Sequence, residues 1–463
     1  MKKYMMVVLI LCLTFSLFAC ETSLNPTIKP VNIESFERLF DDTKTKTLHV
    51  TITEAKWQEL DNAMIDYFVR HGHYRTDYMV EASLTYQDDQ GSVTIDQIGF
   101  RTRGNMSRDR IQNDDGEPQM SNFKLSFHEP YKDEYEKRTV FELEELDLKW
   151  NRNWDSTYLT EKFSLDTFQS FGVFAAHTTL VKLIITIGDE TYHYGIYTAF
   201  EPIDDNFIKR RLDGDENDGN LYKSLWQNFG PANLGYPIDN RAVGIKNEAI
   251  NYRPTYDLKT NKTAEDHREL KSFVESINTL SGTAFETYIQ EHFEVDMFIR
   301  YLAVGVLLGN PDDYRAMANN YYLYQNSKTE KWLMIPYDYD HGMGQGWDGA
   351  PVFSNWSIGM DIYTWGNLNS YLLNQPNYPH VLVDKILSIP RYQVIYESYL
   401  NQLLSGSNAL FSTQRFTSLF NQQVDLYQSE LSGSMMAMPF GMRNIIDYMN
   451  AKKEDVLSQL TKI

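Results

Sequence analysis

The sequence predicts an α+β protein with a β-rich front and a mainly helical back, and three observations carry that prediction. Up to about residue 205, short runs of alternating apolar and polar residues are separated by turns. After about Ala264, apolar residues recur instead at three- and four-residue spacing. A chain of 463 residues is long for one core and has no internal repeat, so a bilobal body with a cleft between unlike halves is expected. The front half would run over about 47–205 and the back half over about 206–463.

Taken in order, the chain opens with Lys2 and Lys3 before an apolar run from Met5 to Phe18. That run is shorter than the roughly 20 residues a membrane-spanning helix needs, which is the pattern of a secretory leader over 1–19. It closes with Leu-Phe-Ala-Cys, similar to the lipobox of bacterial lipoproteins, so Cys20 is expected to carry lipid and anchor the protein to a bilayer outside the cytoplasm. Residues 20–46 then read as a tether. "LHVTIT" from Leu48 alternates as a strand and "EAKWQELDNAM" reads as a short helix. Three strand-like runs follow, "YMVEASLTY", "VTIDQIGFRTRG" and "NFKLSFHE". Leu159, Phe163 and Phe168 are spaced for a helix that stops at Gly172, ahead of the strands "LVKLIITIG" and "YHYGIYTAFE". "DGDENDGN" lacks the sixth-position Gly and twelfth-position Glu of a calcium loop, so it reads as an acidic surface turn. The helical back is interrupted once, by the strands "NNYYLYQ" and "KWLMIPYDYD".

Composition sets exclusions. A hydrophobic share of 42%, with 14% aromatic, belongs to a folded chain, whereas a net charge of −20 repels nucleic acid and anionic headgroups. Of the two cysteines, Cys12 lies in the leader and Cys20 is the lipid site. That leaves no disulfide framework, thiol nucleophile or cysteine-based metal site.

The segment that demands chemistry is "KWLMIPYDYDHG". With a period of two, Trp332, Met334, Pro336, Asp338 and Asp340 share one strand face, so an aromatic plane and two carboxylates line one wall. Like charges placed this way need a cation, a shared proton or water. The alternative is that Asp340 caps the following turn and Asp338 pairs with a basic neighbour. Upstream, the loop "GNPDDY" offers Asn310, Asp312 and Asp313, and Asn319 and Asn320 open the next strand. Such carboxylates and amides suit a hard cation, and a carboxylate in that loop could accept a hydroxyl proton. Positive charge comes from the front: Arg101 and Arg103 share a strand face, and Lys124 sits between Phe123 and Leu125, where it must reach solvent or an anion.

"IGFRTRGNMS…NFKLSF", "YGIYTAFEPIDDNFIKRRL", "GNLYKS", "GNPDDY…NNYYLY" and "KWLMIPYDYD" occur in the order and approximate spacing of the CotH kinase family, which this chain resembles from about residue 47 onward. The resemblance implies an atypical two-lobed protein-kinase-like fold that uses ATP and magnesium to phosphorylate Ser on coat or surface proteins. It implies Lys124 at the ATP phosphates, with Arg101 and Arg103 as phosphate or structural partners. It places Glu201 near the connection between lobes, and Tyr197 and Trp332 around the adenine. Asp312, with Asp313 as second choice, would act as catalytic base or metal neighbour, and Asn320 and Asp338, beside Asp340, would hold magnesium. Tyr337 stands where the family commonly has Trp and Pro311 where an aromatic is usual, and neither a Gly-rich loop of ordinary kinase spacing nor a His-Arg-Asp triplet occurs. Two further readings stand beside this one: an inactive surface scaffold of the same fold, and a glycoside hydrolase built on paired acids.

Overall fold

A computed structural model describes residues 35–105, 107–131, 135–136, 138–346, 356–364, 377 and 379–460. The expected leader and Cys20 lie outside these residues. The tether ends earlier than expected: a short helix, Phe36–Phe40, already buries Phe36 and Leu39 against the body. Among the described residues no helix is long and apolar enough to cross a membrane.

The front is a closed seven-stranded barrel. Its strands are β1 (Thr47–Ile52), β2 (Val80–Asp88), β3 (Gly91–Thr102), β4 (Phe123–Ser126), β5 (Glu145–Trp150), β6 (Thr178–Ile187) and β7 (Glu190–Phe200). They run in the order β1-β2-β3-β4-β5-β7-β6, and β1 closes the ring by pairing parallel to β6. Alternation drives the closure, because Val50, Leu84, Ile98, Leu125, Leu148 and Leu183 all point into one apolar interior. The helix expected after β1 is longer than its periodicity indicated, running Glu54–His71 to a left-handed Gly72. β5, "ELDLKW", was not anticipated.

A second sheet of five strands lies beyond the barrel in the sequence: β8 (Leu221–Ser224), β9 (Val243–Gly244), β10 (Tyr256–Leu258), β11 (Tyr321–Gln325) and β12 (Trp332–Pro336). Its order is β12-β11-β8-β10-β9. β11 and β12 form the expected hairpin, with Tyr321 opposite Pro336, so Asn320 and the chain beyond Pro336 emerge at the same end. The helix Val295–Leu308 is apolar nearly all round and is the centre of the back core, as such a helix must be. It ends at Gly309, whose φ of 60° and closeness to the Tyr448 and Ser357 side chains leave no room for a Cβ.

The division near residue 205 is not clean. Helix Thr160–Ser170 lies in the barrel half of the sequence, yet Phe163 and Phe168 pack into the core of the helical half. The molecule is therefore a mixed α/β body in which a helix from the barrel half of the sequence packs into the back core.

Candidate active site

The barrel turns one charged face outward. On adjacent strands Arg101 pairs with Lys124 and Lys124 with Asp147, and Lys149 follows two residues along β5. These positions face outward because Phe123, Leu125, Leu146 and Leu148 between them point inward.

Lys149 is the centre of the site. Its ammonium lies 2.8 Å from a Glu161 oxygen and 2.7 Å from Asp340, and it also contacts Asp338. Three elements supply these partners. Lys149 is the penultimate residue of β5, Glu161 sits in the first turn of helix Thr160–Ser170, and the aspartates follow β12. The helix start is fixed by Asp155, whose carboxylate accepts the Leu159 and Thr160 backbone N–H groups at 3.0 and 2.9 Å. The other Glu161 oxygen accepts the Tyr339 N–H at 3.2 Å, which ties the helix to the chain between the two aspartates.

One oxygen from each of Glu161, Asp338 and Asp340 falls within 4.8 Å of the others. Burial alone would raise Asp338, but the Lys149 ammonium outweighs it and holds the carboxyl low. Burial pushes Glu161 up. For Lys149, burial lowers the pKa, but Asp338, Asp340 and Glu161 carry it well above the ordinary value. One ammonium thus serves three carboxylates, and Asp340 Oδ1 is buried without a hydrogen bond, with the His341 Nε2 3.5 Å away. His341 adds positive character: burial lowers its pKa, but Asp340, Asp312 and Asp338 raise it overall. The donor set is one a magnesium ion fits, with hard carboxylate oxygens and one oxygen lacking a donor.

Asp312 belongs to the same neighbourhood. Asn310 donates to the Asp338 carbonyl at 3.1 Å and accepts the Asp312 N–H at 3.0 Å, which couples loop to strand end. The Asp312 carboxylate accepts one amide N–H from Asn319 and one from Asn320, both at 2.9 Å. Burial pushes its pKa up to about 6, near the range in which a carboxylate can take a proton. Ala318, Asn320, Asp338 and Met343 all have φ between 50° and 61°, so this end of the hairpin holds backbone conformations that cost energy.

Several expected residues lie elsewhere. Asp313 turns away from the cluster, being enclosed with its oxygens taken by the Arg315 and Ala316 N–H groups and the Tyr339 hydroxyl. Trp332 is 2% exposed and stacks on Phe273, so it lines no cleft. The shared face fails because β12 ends at Pro336 and the left-handed Asp338 breaks the two-residue period. Tyr197 points into the barrel, with its hydroxyl on the Ser121 carbonyl at 2.9 Å. Glu201 sits just past β7 with both oxygens taken by Arg210, Arg211 and His177. Lys124 contacts Glu145 and lies 3.2 Å from Asp147, and Arg101 lies 3.2 Å from Asp77. Arg103, just past β3, lies 3.2 Å from Asp147 and donates to the Tyr337 hydroxyl at 2.8 Å.

Sequence reasoning missed Lys149 and Glu161. The available signal was the outward position of Lys149 beside Leu146 and Leu148, the same kind of signal that singled out Lys124. An ion-paired lysine and glutamate beside acidic metal-type donors is the class of site that nucleotide phosphotransferases build. The chain belongs to the family described as CotH kinase protein, which matches residues 100–444. It is 24% identical over 225 residues to the inner spore coat protein H of Bacillus subtilis (strain 168), a match covering 48% of this chain and 56% of that protein. The Helicobacter pylori proinflammatory kinase CtkA superposes with a TM-score of 0.24 and 10% identity, over 69% of this chain and 90% of that one, too loosely to define a shared architecture.

Proposed function

We propose that the protein is an ATP- and magnesium-dependent protein kinase acting on Ser of surface or coat proteins. The observation that carries this reading is the Lys149–Glu161 pair at 2.8 Å, set against Asp338 and Asp340. In this role Glu161 holds the Lys149 ammonium at the mouth of the site, where it can turn from the aspartates to phosphate oxygens. Asp338 and Asp340, with Asn320 nearby, would hold magnesium, and that ion would neutralise charge on the nucleotide phosphates. Asp312, steadied by Asn319 and Asn320, accepts the proton of the Ser hydroxyl. The division of labour is two-lobed: the barrel supplies lysine and arginine, and the helical half supplies base and metal ligands.

The related spore coat protein makes a coat or surface protein the substrate class we favour. The leader and Cys20 would place the enzyme outside the cytoplasm on a lipid anchor. A glycoside hydrolase needs the gap between its two acids open to sugar, and here Lys149 stands in that gap.

The test is transfer from labelled ATP by the purified protein with magnesium, beside Lys149→Met, Asp338→Asn and Asp312→Asn. Transfer by the parent is expected, with at least a hundredfold loss in each variant, on the scale of removing a positioned proton acceptor or charge clamp. Equal incorporation in parent and variants, or none in the parent over a panel of coat-like substrates, would put the inactive scaffold ahead.

A further inference from the structure

Lys223, on β8, lies inside the second sheet's face toward the barrel, in a stretch the site described above does not use. Its ammonium donates to the Tyr337 hydroxyl at 3.1 Å, the same oxygen that takes the Arg103 guanidinium at 2.8 Å. The ammonium also lies 4.2 Å from the Tyr337 ring centroid and 5.7 Å from that of Tyr322. Two cations from different sheets therefore converge on one neutral oxygen, and a phenol can offer each only a lone pair.

Their counter-charges are unequal. Arg103 has Asp147, which it shares with Lys124. Lys223 forms no ion pair among the described residues. Its cross-strand neighbour on β10, Asp257, is held by Lys259 at 2.9 Å and by the Lys246 N–H at 2.9 Å. Burial, with Arg103 and Lys259 nearby, lowers the Lys223 pKa to about 7. Asp147 and Asp338 offset part of that charge from a distance, but the ammonium's direct contacts are a hydroxyl and two ring faces, and an anion placed between it and Arg103 would complete both.

We propose that Lys223, Arg103 and the Tyr337 hydroxyl form a subsite for a phosphoryl group, one residue along the chain from Asp338. Three donors converge there: an ammonium, a guanidinium that can bind two oxygens, and a phenol free to turn its hydrogen outward. The choice of phosphoryl as the anion rests on the phosphotransferase reading, whereas the convergence of the donors does not. The group could arrive on a nucleotide or as free phosphate, and the chemistry of recognition is the same.

Calorimetric titration of the full protein with AMP, ADP, a non-hydrolysable ATP analogue and inorganic phosphate, each with magnesium, separates these sources. Lys223→Met is expected to weaken at least one of these ligands by about 10–100-fold, the scale of a lost charge-assisted contact. Loss confined to the ATP analogue assigns the terminal phosphate, loss in all three nucleotides assigns the phosphate nearest the ribose, and loss for inorganic phosphate alone assigns a free-phosphate site. Tyr337→Phe, which keeps the ring, guards against misfolding of the first variant and should weaken the same ligand by a smaller factor. Parent-like affinity for all four ligands in both folded variants overturns the subsite. If the parent transfers no phosphoryl group yet Lys223→Met loses anion binding, the subsite stands and the kinase reading falls. If transfer is intact and Lys223→Met binds normally, the reverse holds.

Discussion

Two acidic centres of the molecule are built on opposite principles. Glu201 is one carboxylate met by two guanidiniums, a histidine and a backbone N–H, with every donor 2.7 to 3.0 Å away. The Glu161, Asp338 and Asp340 centre is three carboxylates met by one lysine and one histidine, the latter 3.5 Å from a buried Asp340 oxygen that accepts no hydrogen bond. The first is saturated, so it can only hold the chain together after β7. The second is short of positive charge, so it has binding capacity to spare. Asp338 is also one-third exposed, which keeps that capacity reachable from solvent. Residue type does not separate the two centres. The balance of donors to acceptors does.

The strongest way to break this contrast is Glu201→Gln. Removing one partner of a buried ion pair costs about 3–5 kcal/mol, so a large fall in Tm is expected with transfer per folded molecule unchanged. Burial would raise the Glu201 carboxyl, but Arg211, His177 and Arg210 hold it well below the ordinary glutamate value of about 4.5. Its stabilisation is therefore fully present above about 4.5 and lost as pH falls toward the lower folded value. Acid unfolding of the parent below that pH should be steeper than that of the variant, and parallel curves would remove Glu201 from its structural role.

A second, smaller effect sharpens the other side. Magnesium should raise the parent's Tm, by about 2.7 kcal/mol of stability at a hundredfold excess over its Kd. Asp340→Asn should lose most of that gain, whereas Glu201→Gln should keep it. Equal shifts in both variants would mean that the ion binds elsewhere.

The third effect is tenfold per pH unit. Asp312 must be ionised to accept a proton, so kcat/KM of the parent should fall as pH drops through about 6, and the residual activity of Asp312→Asn should lack that limb. A persistent limb in the variant would assign it to another group. The smallest effect separates the two barrel lysines: Lys124→Met should change ATP affinity less than about threefold, because Lys124 spends its charge on Glu145 and Asp147. Titration showing a larger loss would return Lys124 to the nucleotide.

What could be read from the chain divides along the same physical line. The hairpin, the Asn310–Asp313 loop and the meeting of Asn320 with the chain beyond Pro336 were legible because strand period and turn residues are local signals. Trp332 was misplaced because the period was carried two residues past the strand's end, where Asp338 turns left-handed. Lys149 and Lys124 are alike as sequence, each a cation beside inward leucines or phenylalanines. Only folding brings Lys149 to Asp338, 189 residues away, and gives Lys124 to Asp147 on the neighbouring strand. The barrel's closure was equally hidden, since it depends on β1 finding β6 across the intervening sequence. Whether one side chain completes another's charge is a tertiary property, and the counting that distinguishes the two acidic centres cannot begin without it.

The seam between β1 and β6 has a mechanical consequence. The segment leading into β1 is stitched to the far end of the chain: Gln422 and Gln423 donate to the Asp42 carbonyl, and the Lys46 N–H donates to the Tyr427 hydroxyl. A pull from the N-terminal side would meet these fasteners before it reached the parallel strand pair. Tension applied from that side would then be spread into the carboxy-terminal helices, sparing the lysine-bearing wall of the barrel.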